Sequence, residues 1–89
     1  MRDVLQGNEG LGVFLPDKIR LLIDLFNGPR TPTELATIEK KHLSQISRTL
    51  RELRNHGLVE VTTTGSRERY YKPTANGYSV INEMLRLTR

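Results

Sequence analysis

The stretch from Thr31 to Val61, TPTELATIEKKHLSQISRTLRELRNHGLVEV, decides the fold because two predicted helices and the start of a strand follow one another in it. Its first four residues, Thr31-Pro32-Thr33-Glu34, form a capping box. The Thr31 side chain can accept a backbone N–H while Glu34 reaches back to the start of the helix, and proline suits the first helical position. The pattern predicts a short helix that starts at Pro32 and includes Leu35, Ala36 and Ile38.

A longer helix, the third in chain order, is predicted after Lys40 and Lys41. Its apolar residues, Leu43, Ile46, Leu50 and Leu53, recur at the spacing of a helical stripe. The segment His56-Gly57-Leu58 closes this helix, since Gly57 can adopt the left-handed capping conformation with Leu58 packed behind it.

A further helix is predicted before this pair. Ile19, Leu22, Ile23 and Phe26 recur at i, i+3, i+4 and i+7, and Asn27-Gly28-Pro29 supplies a helix stop. We expect these four side chains to form the buried face of the first helix.

A β-hairpin is predicted after the third helix. Val59 and Val61 alternate with polar residues, and the β-prone run Arg69-Tyr70-Tyr71-Lys72 follows the turn at Thr64-Gly65-Ser66. Because Tyr70 and Tyr71 alternate faces, we expect one of them to pack in the core. A stacking platform for nucleic acid bases is the alternative.

A last helix is predicted beyond Pro73, which ends the second strand. Thr74 can cap this helix, and Tyr78, Ile81, Met84 and Leu85 share one face of it. The expected fold is mainly α with a small hairpin, in the order helix, helix, helix, hairpin, helix. Residues 16–89 would form one domain, and residues 1–15, with three glycines and no periodicity, a flexible arm.

Composition and charge limit the function. The chain has 89 residues, no cysteine and a net charge of +4, and the segment from Lys40 to Lys72 alone carries eight basic and three acidic residues. This balance favours a polyanionic partner. No thiolate site, phosphate-binding glycine loop or metal-binding histidine spacing is present, so we expect no enzyme activity, cofactor or metal. The absence of a long apolar run and of a secretory signal predicts a cytoplasmic protein with no membrane partner.

The third helix offers a hydrogen-bonding face opposite its apolar stripe. The residues placed outward by the 100° step are Lys41, Ser44, Gln45, Arg48 and Glu52. Arginine suits guanine, glutamine suits adenine, and serine suits bases or phosphate, which is the chemistry of major-groove readout. A solvated helix face with no partner collects the same residue types and is the alternative.

Two further features favour a polyanion. Lys40 and Lys41 would oppose the dipole at the start of the third helix, and no typical capping residue directly precedes them, so backbone N–H groups could meet a phosphate. The alternative is that Thr37 caps from further back. In the hairpin, Arg67 and Arg69 flank a hydroxyl-rich tip suited to phosphate or minor-groove contact; a charged edge that deters aggregation is the other interpretation.

Three segments together resemble the winged helix-turn-helix transcriptional regulators of the MarR and ArsR type, with small archaeal regulators nearest. The segments are TPTELA, SQISRTLRELRNHGLVEV and RERYYKPTANGYSVI, and the resemblance covers about residues 17–88. The resemblance implies a recognition helix near Lys40 to Asn55, a wing near Val59 to Lys72, and a sequence-specific DNA-binding repressor or activator that works as a dimer. The chain lacks the cysteine motif of ArsR-type metal sensors and the long extra helices of MarR-type proteins, so the resemblance implies no metal, drug or phenol sensing and no small-molecule substrate.

The candidate DNA contacts fall into three groups. They are Lys40, Lys41, His42, Ser44, Gln45, Arg48 and Arg51 in the recognition helix; Thr31 and Thr33 at the start of the second helix; and Thr64, Ser66, Arg67 and Arg69 in the wing. A homodimer interface could use Tyr78, Ile81, Met84 and Leu85, joined by Val13, Phe14 and Leu15; a purely structural role of the last helix is the alternative. A winged-helix protein-interaction module and a non-specific chromatin-type DNA-binding protein stay open as other functions.

Overall fold

The computed structural model describes residues 16–63, 65 and 67–87 of the chain. Four helices and two strands follow one another in the predicted order: α1 (Pro16–Phe26), α2 (Pro32–Glu39), α3 (Leu43–Asn55), β1 (Val59–Thr63), β2 (Arg69–Pro73) and α4 (Ala75–Leu87). The expected fold class, mainly α with a small hairpin, is confirmed. The expected arm, residues 1–15, lies outside the described residues.

The sequence signals that end and start the helices act as predicted. Thr31 Oγ1 accepts the N–H of Glu34 at 3.1 Å, and Glu34 Oε1 accepts the N–H of Thr31 at 2.9 Å, which completes the capping box. Gly57 has φ 73°, and the N–H of Leu58 donates to the Leu53 carbonyl at 2.9 Å. The end of α3 is therefore a Schellman motif.

Thr74 and Gly77 join α4 to the rest of the domain. The Thr74 hydroxyl accepts the N–H of Gly77 at 3.1 Å, as its predicted capping role requires, and donates to the Gly57 carbonyl at 2.6 Å. A Cβ atom at Gly77 would overlap the carbonyl oxygen of Leu58. The last helix therefore sits directly on the end of the α3 cap, at a distance that only glycine permits.

The hairpin is antiparallel, with Val61 opposite Tyr71 and Pro73, the last residue of β2, opposite Val59. The edge of β2 that does not face β1 pairs at Tyr71 with the loop between α1 and α2. The N–H of Tyr71 donates to the Arg30 carbonyl at 2.8 Å, and the N–H of Arg30 donates to the Tyr71 carbonyl at 3.2 Å. This pair ties the hairpin to the start of α2.

One apolar cluster lies between the three-helix unit, the hairpin and α4. Its members are Leu21, Leu22, Leu25, Leu35, Ile46, Leu50, Leu53, Leu58, Val59, Tyr71 and Ile81. Tyr71 is the tyrosine that packs in the core, as expected for one of the pair. At roughly 25 cal/mol per Å² of apolar surface, burial of this cluster is the main favourable term in folding.

Two predicted apolar faces differ from the observed ones. The first helix buries Leu21, Leu22 and Leu25, whereas Ile23 and Phe26 are 44% and 39% exposed. Apolar residues surround more than half of α1, so periodicity alone does not select the side that meets the other elements. In α3, Leu43 belongs to the stripe by spacing but is 49% exposed, because the first turn of the helix extends beyond the buried cluster.

Candidate nucleic-acid interface

The face of α3 opposite the core is polar and open to solvent. Ile46, Leu50 and Leu53 point into the core, and Ser44, Gln45, Arg48 and Arg51 are all exposed. The predicted exposure of Ser44, Gln45 and Arg48 is confirmed. The face presents a hydroxyl, an amide and guanidinium groups side by side, the donors and acceptors that base edges in the major groove can meet.

The arginines of α3 differ from nearby lysines in having no carboxylate partner. Arg48, Arg51 and Arg54 take part in no ion pair among the described residues. Sequence reasoning did not select Arg54, although its place in the last turn of the same exposed helix is readable from the sequence. The three guanidinium groups form an uncompensated positive strip on α3.

Lys41 and Glu52, two of the residues predicted to face outward, each form an ion pair with α1, and the Glu52 side chain is still 46% exposed. Lys41 Nζ lies 3.2 Å from Asp17 Oδ1, and Glu52 Oε1 lies 3.3 Å from Lys18 Nζ. The Glu52 pair connects α3 with α1, and the Lys41 pair connects α1 with the chain two residues before α3.

Lys40 is not part of α3, which starts at Leu43 rather than at Lys40. Lys40 ends α2 in the left-handed conformation, with φ 56°, and its N–H donates to the Thr37 carbonyl at 3.3 Å. A cation at the C-terminal end of a helix is favourable. Lys40 is thus explained as an ordinary helix end, and it does not lie within the first turn of α3.

The start of α3 has no side-chain cap. His42 occupies the N-cap position without a side-chain hydrogen bond to the helix. Thr37, the alternative cap, donates instead to the Thr33 carbonyl at 3.2 Å. The predicted lack of a cap is confirmed, and the first N–H groups of α3 are available to an anion.

The wing places Arg67 and Arg69 in exposed positions beside the loop between β1 and β2. Arg67 has φ 72° and forms part of the turn. Tyr70 donates its hydroxyl to Glu68 Oε1 at 2.9 Å, and this bond to a carboxylate raises the pKa of Tyr70. Thr64 and Ser66, the other predicted wing contacts, lie outside the described residues.

An open hollow of about 780 Å³ lies between the start of α2, the start of α3 and the wing. Thr31 and Thr33, the predicted contacts at the start of α2, line it. Ile38, Leu43 and Ser47 are among the lining residues that were not predicted as contacts; the spacing of Leu43 had indicated a buried position instead. The hollow joins α2, α3 and the wing into one concave surface.

A carboxyl pair lies where α1 meets the end of α2. The pKa of Asp24 is raised to about 7, most strongly by burial and then by a hydrogen bond with Glu39 and the charge of Glu39, against the opposing effect of Arg30. Asp24 Oδ2 is buried and has no hydrogen-bond donor among the described residues. A bond between two carboxyl groups needs one proton, so Asp24 holds that proton when the bond forms.

The predicted dimer residues on α4 do not share one environment. Ile81 belongs to the core, which corrects its assignment to a surface, whereas Tyr78 is 40% exposed. Tyr78 contacts Phe26 of α1 edge to face, with ring centroids 5.4 Å apart. Exposed Ile23 and Leu85 also lie on these two helices. Met84 is half-buried, and Val13, Phe14 and Leu15 lie outside the described residues.

The described residues contain no group of three His, Cys, Asp or Glu side chains placed to hold a metal ion. The helices in the described part of the chain are all too short or too polar to cross a membrane.

No protein-family model and no curated protein matches the chain. Solved structures do match. A possible transcriptional regulator for arsenical resistance is 30% identical, with a TM-score of 0.68 over 85% of this chain and 78% of that one. MarR is 26% identical, with a TM-score of 0.78 over 96% of this chain, which spans 60% of MarR. HlyU from Vibrio cholerae is 20% identical and shares the fold, with a TM-score of 0.75 over 96% of this chain and 94% of that one. These structures do not support the expected closeness to archaeal regulators.

Proposed function

The chain belongs to the winged-helix transcriptional regulators of the MarR and ArsR type, and we propose that it regulates transcription by binding double-stranded DNA at preferred sequences. The observation that carries this proposal is the exposed face of α3, where three arginines have no carboxylate partner within the described residues. Such a face combines phosphate attraction with base-specific donors.

In this proposal α3 enters the major groove. Arg48 donates to guanine, Gln45 pairs with adenine, and Ser44 contacts a base or a phosphate. The uncapped start of α3, preceded by His42, meets a backbone phosphate. Lys41 is held by Asp17 and serves as a link to α1 rather than as a DNA contact.

The wing and the start of α2 bind the backbone on either side of α3. Arg67 and Arg69 reach the adjacent phosphates or the minor groove, and the hydroxyl groups of Thr31 and Thr33 donate to phosphate oxygens. Thr31 Oγ1 accepts a bond within the capping box, so its hydrogen is still available to an anion. Together these contacts fix the position of α3 in the groove.

A second copy of the chain covers the apolar patch formed by Ile23, Phe26, Tyr78 and Leu85. These are four of the six large hydrophobic side chains exposed in the described part of the chain, and all four lie on α1 and α4. A two-fold dimer predicts half-sites about 10–10.5 base pairs apart, or a multiple of that. Binding is the whole activity, without catalysis, and a DNA partner together with a chain free of cysteine fits the cytoplasm.

Selection of duplexes from a random library, followed by fluorescence anisotropy, tests the proposal. We expect the selected duplex to bind at least about 10³-fold more tightly than a shuffled one. The slope of the logarithm of the binding constant against the logarithm of the salt concentration, divided by about 0.9, gives the number of phosphate contacts. Equal, tight binding of both duplexes would indicate a chromatin-type protein, and no binding at low salt would indicate a protein-interaction module.

A further inference from the structure

Two large apolar side chains are exposed on the concave surface where α2, α3 and the wing meet. Ile38 near the end of α2 is 44% exposed, and Leu43 at the start of α3 is 49% exposed. Both line the hollow described above. They lie apart from the apolar patch on α1 and α4, so a dimer through that patch leaves them uncovered.

The surroundings of these two side chains are polar, with charges of both signs. Arg69 of the wing, Ser47 of α3 and Thr33 of α2 line the same hollow. Its two carboxylates already accept hydrogen bonds: Glu34 from the N–H of Thr31, and Glu68 from the hydroxyl of Tyr70. Both donors are neutral, so the two carboxylates keep their charge and balance Arg30 and Arg69 of the lining. The positive charge that favours DNA over an apolar segment of another protein is that of the arginines of α3, which have no carboxylate partner among the described residues.

A base edge in the major groove offers one apolar group, the C5-methyl group of thymine. Leu43 is the first residue of α3 and is exposed, unlike the rest of its apolar stripe. The proposed insertion of α3 would bring it to the groove with the first turn of the helix. Hydrogen-bonding side chains on α3 can discriminate guanine and adenine, but they gain nothing from a methyl group. An exposed leucine at this position supplies that missing contact.

We propose that Leu43, with Ile38 beside it, packs against a thymine methyl group and thereby specifies thymine at one position of each half-site. This inference rests on the proposed function, since it places α3 in the major groove. Burial of one methyl group corresponds to about a 4-fold change in affinity.

The test uses the full chain and the duplex obtained by selection. Each thymine is replaced in turn by deoxyuridine, which removes the methyl group and leaves every hydrogen-bonding atom in place. We expect one replacement per half-site to weaken binding by about 4-fold. Leu43→Asn, similar in size but polar, should bind the thymine and uracil duplexes equally, whereas Leu43→Met should keep the preference for thymine.

Several results would overturn the inference while the proposed function stands. One such result is that every uracil-containing version of the selected duplex binds as tightly as the original. Another is that Leu43→Asn keeps the 4-fold difference between the thymine and uracil duplexes, or that it loses affinity equally for both. A protein partner seated on Leu43 would give the first of these results, because removal of the methyl group would then change nothing. If selection enriches no sequence, the proposed function fails and this inference fails with it.

Discussion

Lys18 Nζ of α1 lies 3.3 Å from Glu52 Oε1 of α3, and the lysine side chain is only 12% exposed whereas the glutamate is 46% exposed. This pair, together with Lys41 and Asp17, connects the helix that offers the arginine strip to the helix at the opposite side of the core. The orientation of α3 relative to α1 is therefore set partly by charge as well as by apolar packing.

A double-mutant cycle measures this pair. Lys18→Met and Glu52→Gln, singly and together, should give a coupling free energy of about 0.5–1 kcal/mol in urea unfolding, because one partner is hydrated. The matched cycle on Lys41 and Asp17, whose side chains are 26% and 53% exposed, should give a smaller value. Equal couplings for the two pairs would show that burial of Lys18 adds nothing.

Arg48 and Arg69 should affect DNA binding in different ways. Arg48→Ala should cost about 1–3 kcal/mol on the selected duplex and little on a shuffled one, since it removes a base contact. Arg69→Ala should weaken binding to both duplexes alike and lower the salt slope by about 1, since it removes a phosphate contact. Anisotropy at two salt concentrations separates the two effects. If both variants lose the same affinity on each duplex and show the same salt slope, α3 and the wing do not have the different roles proposed for them.

Gly77→Ala should destabilise the domain by about 1–3 kcal/mol in urea unfolding. Alanine is the better helix former, but its Cβ would overlap the Leu58 carbonyl, so steric conflict reverses the sign expected from propensity. Asn76→Ala, one residue earlier and exposed, is the control and should be close to neutral. A neutral Gly77→Ala would mean that α4 can move off the α3 cap at little cost.

The raised pKa of Asp24, about 7, predicts that stability falls as pH rises. In the folded state the proton is retained, whereas the unfolded carboxyl ionises near its ordinary pKa of 3.8. The stabilising contribution is therefore complete below about pH 3.8 and is lost progressively as pH rises to about 7.

Urea unfolding at pH 5 and pH 8 checks this prediction. The wild-type protein should lose more stability between pH 5 and pH 8 than Asp24→Asn, because the asparagine amide can donate a hydrogen bond to Glu39 at both pH values. Asp17→Asn, at the other end of α1, is the matched control and should follow the wild type. Parallel curves for wild type and Asp24→Asn would contradict a shared proton.

Ile23→Glu should convert a dimer to a monomer. The new charge lies in the apolar patch on α1 and α4, where association would have to desolvate it. Sedimentation equilibrium of the variant should give the monomer mass with little change in unfolding free energy, since Ile23 is 44% exposed in the single chain. Asn76→Glu, two residues before Tyr78 and on the far side of α4, should leave the mass unchanged.

Structural features set by residues close together in the sequence were predictable, whereas features set by residues far apart in the sequence were not. The capping box, the Gly57 cap and the Thr74 cap each depend on residues within a few positions of one another, so the sequence displays them directly. The role of Lys41 depends on Asp17, 24 residues away. For the candidate site, the exposed side chains of Ser44, Gln45 and Arg48 follow from helical spacing.

The hollow with its two exposed apolar residues did not follow from the sequence. Leu43 obeys the spacing of the core stripe, and only the placement of α2 and the wing around the start of α3 determines that it stays outside the core. In the same way, Ile81 has the spacing of the exposed Tyr78 and Leu85, and only the packing of α4 assigns it to the interior.

The Arg30–Tyr71 pair holds the hairpin to the start of α2 through main-chain atoms alone. Because every residue except proline supplies the same N–H and C=O groups, the two hydrogen bonds themselves do not depend on which side chains stand at these positions, although the Tyr71 side chain is also needed in the core. Evolutionary drift in sequence can therefore proceed on both sides of it without releasing the wing from the helices.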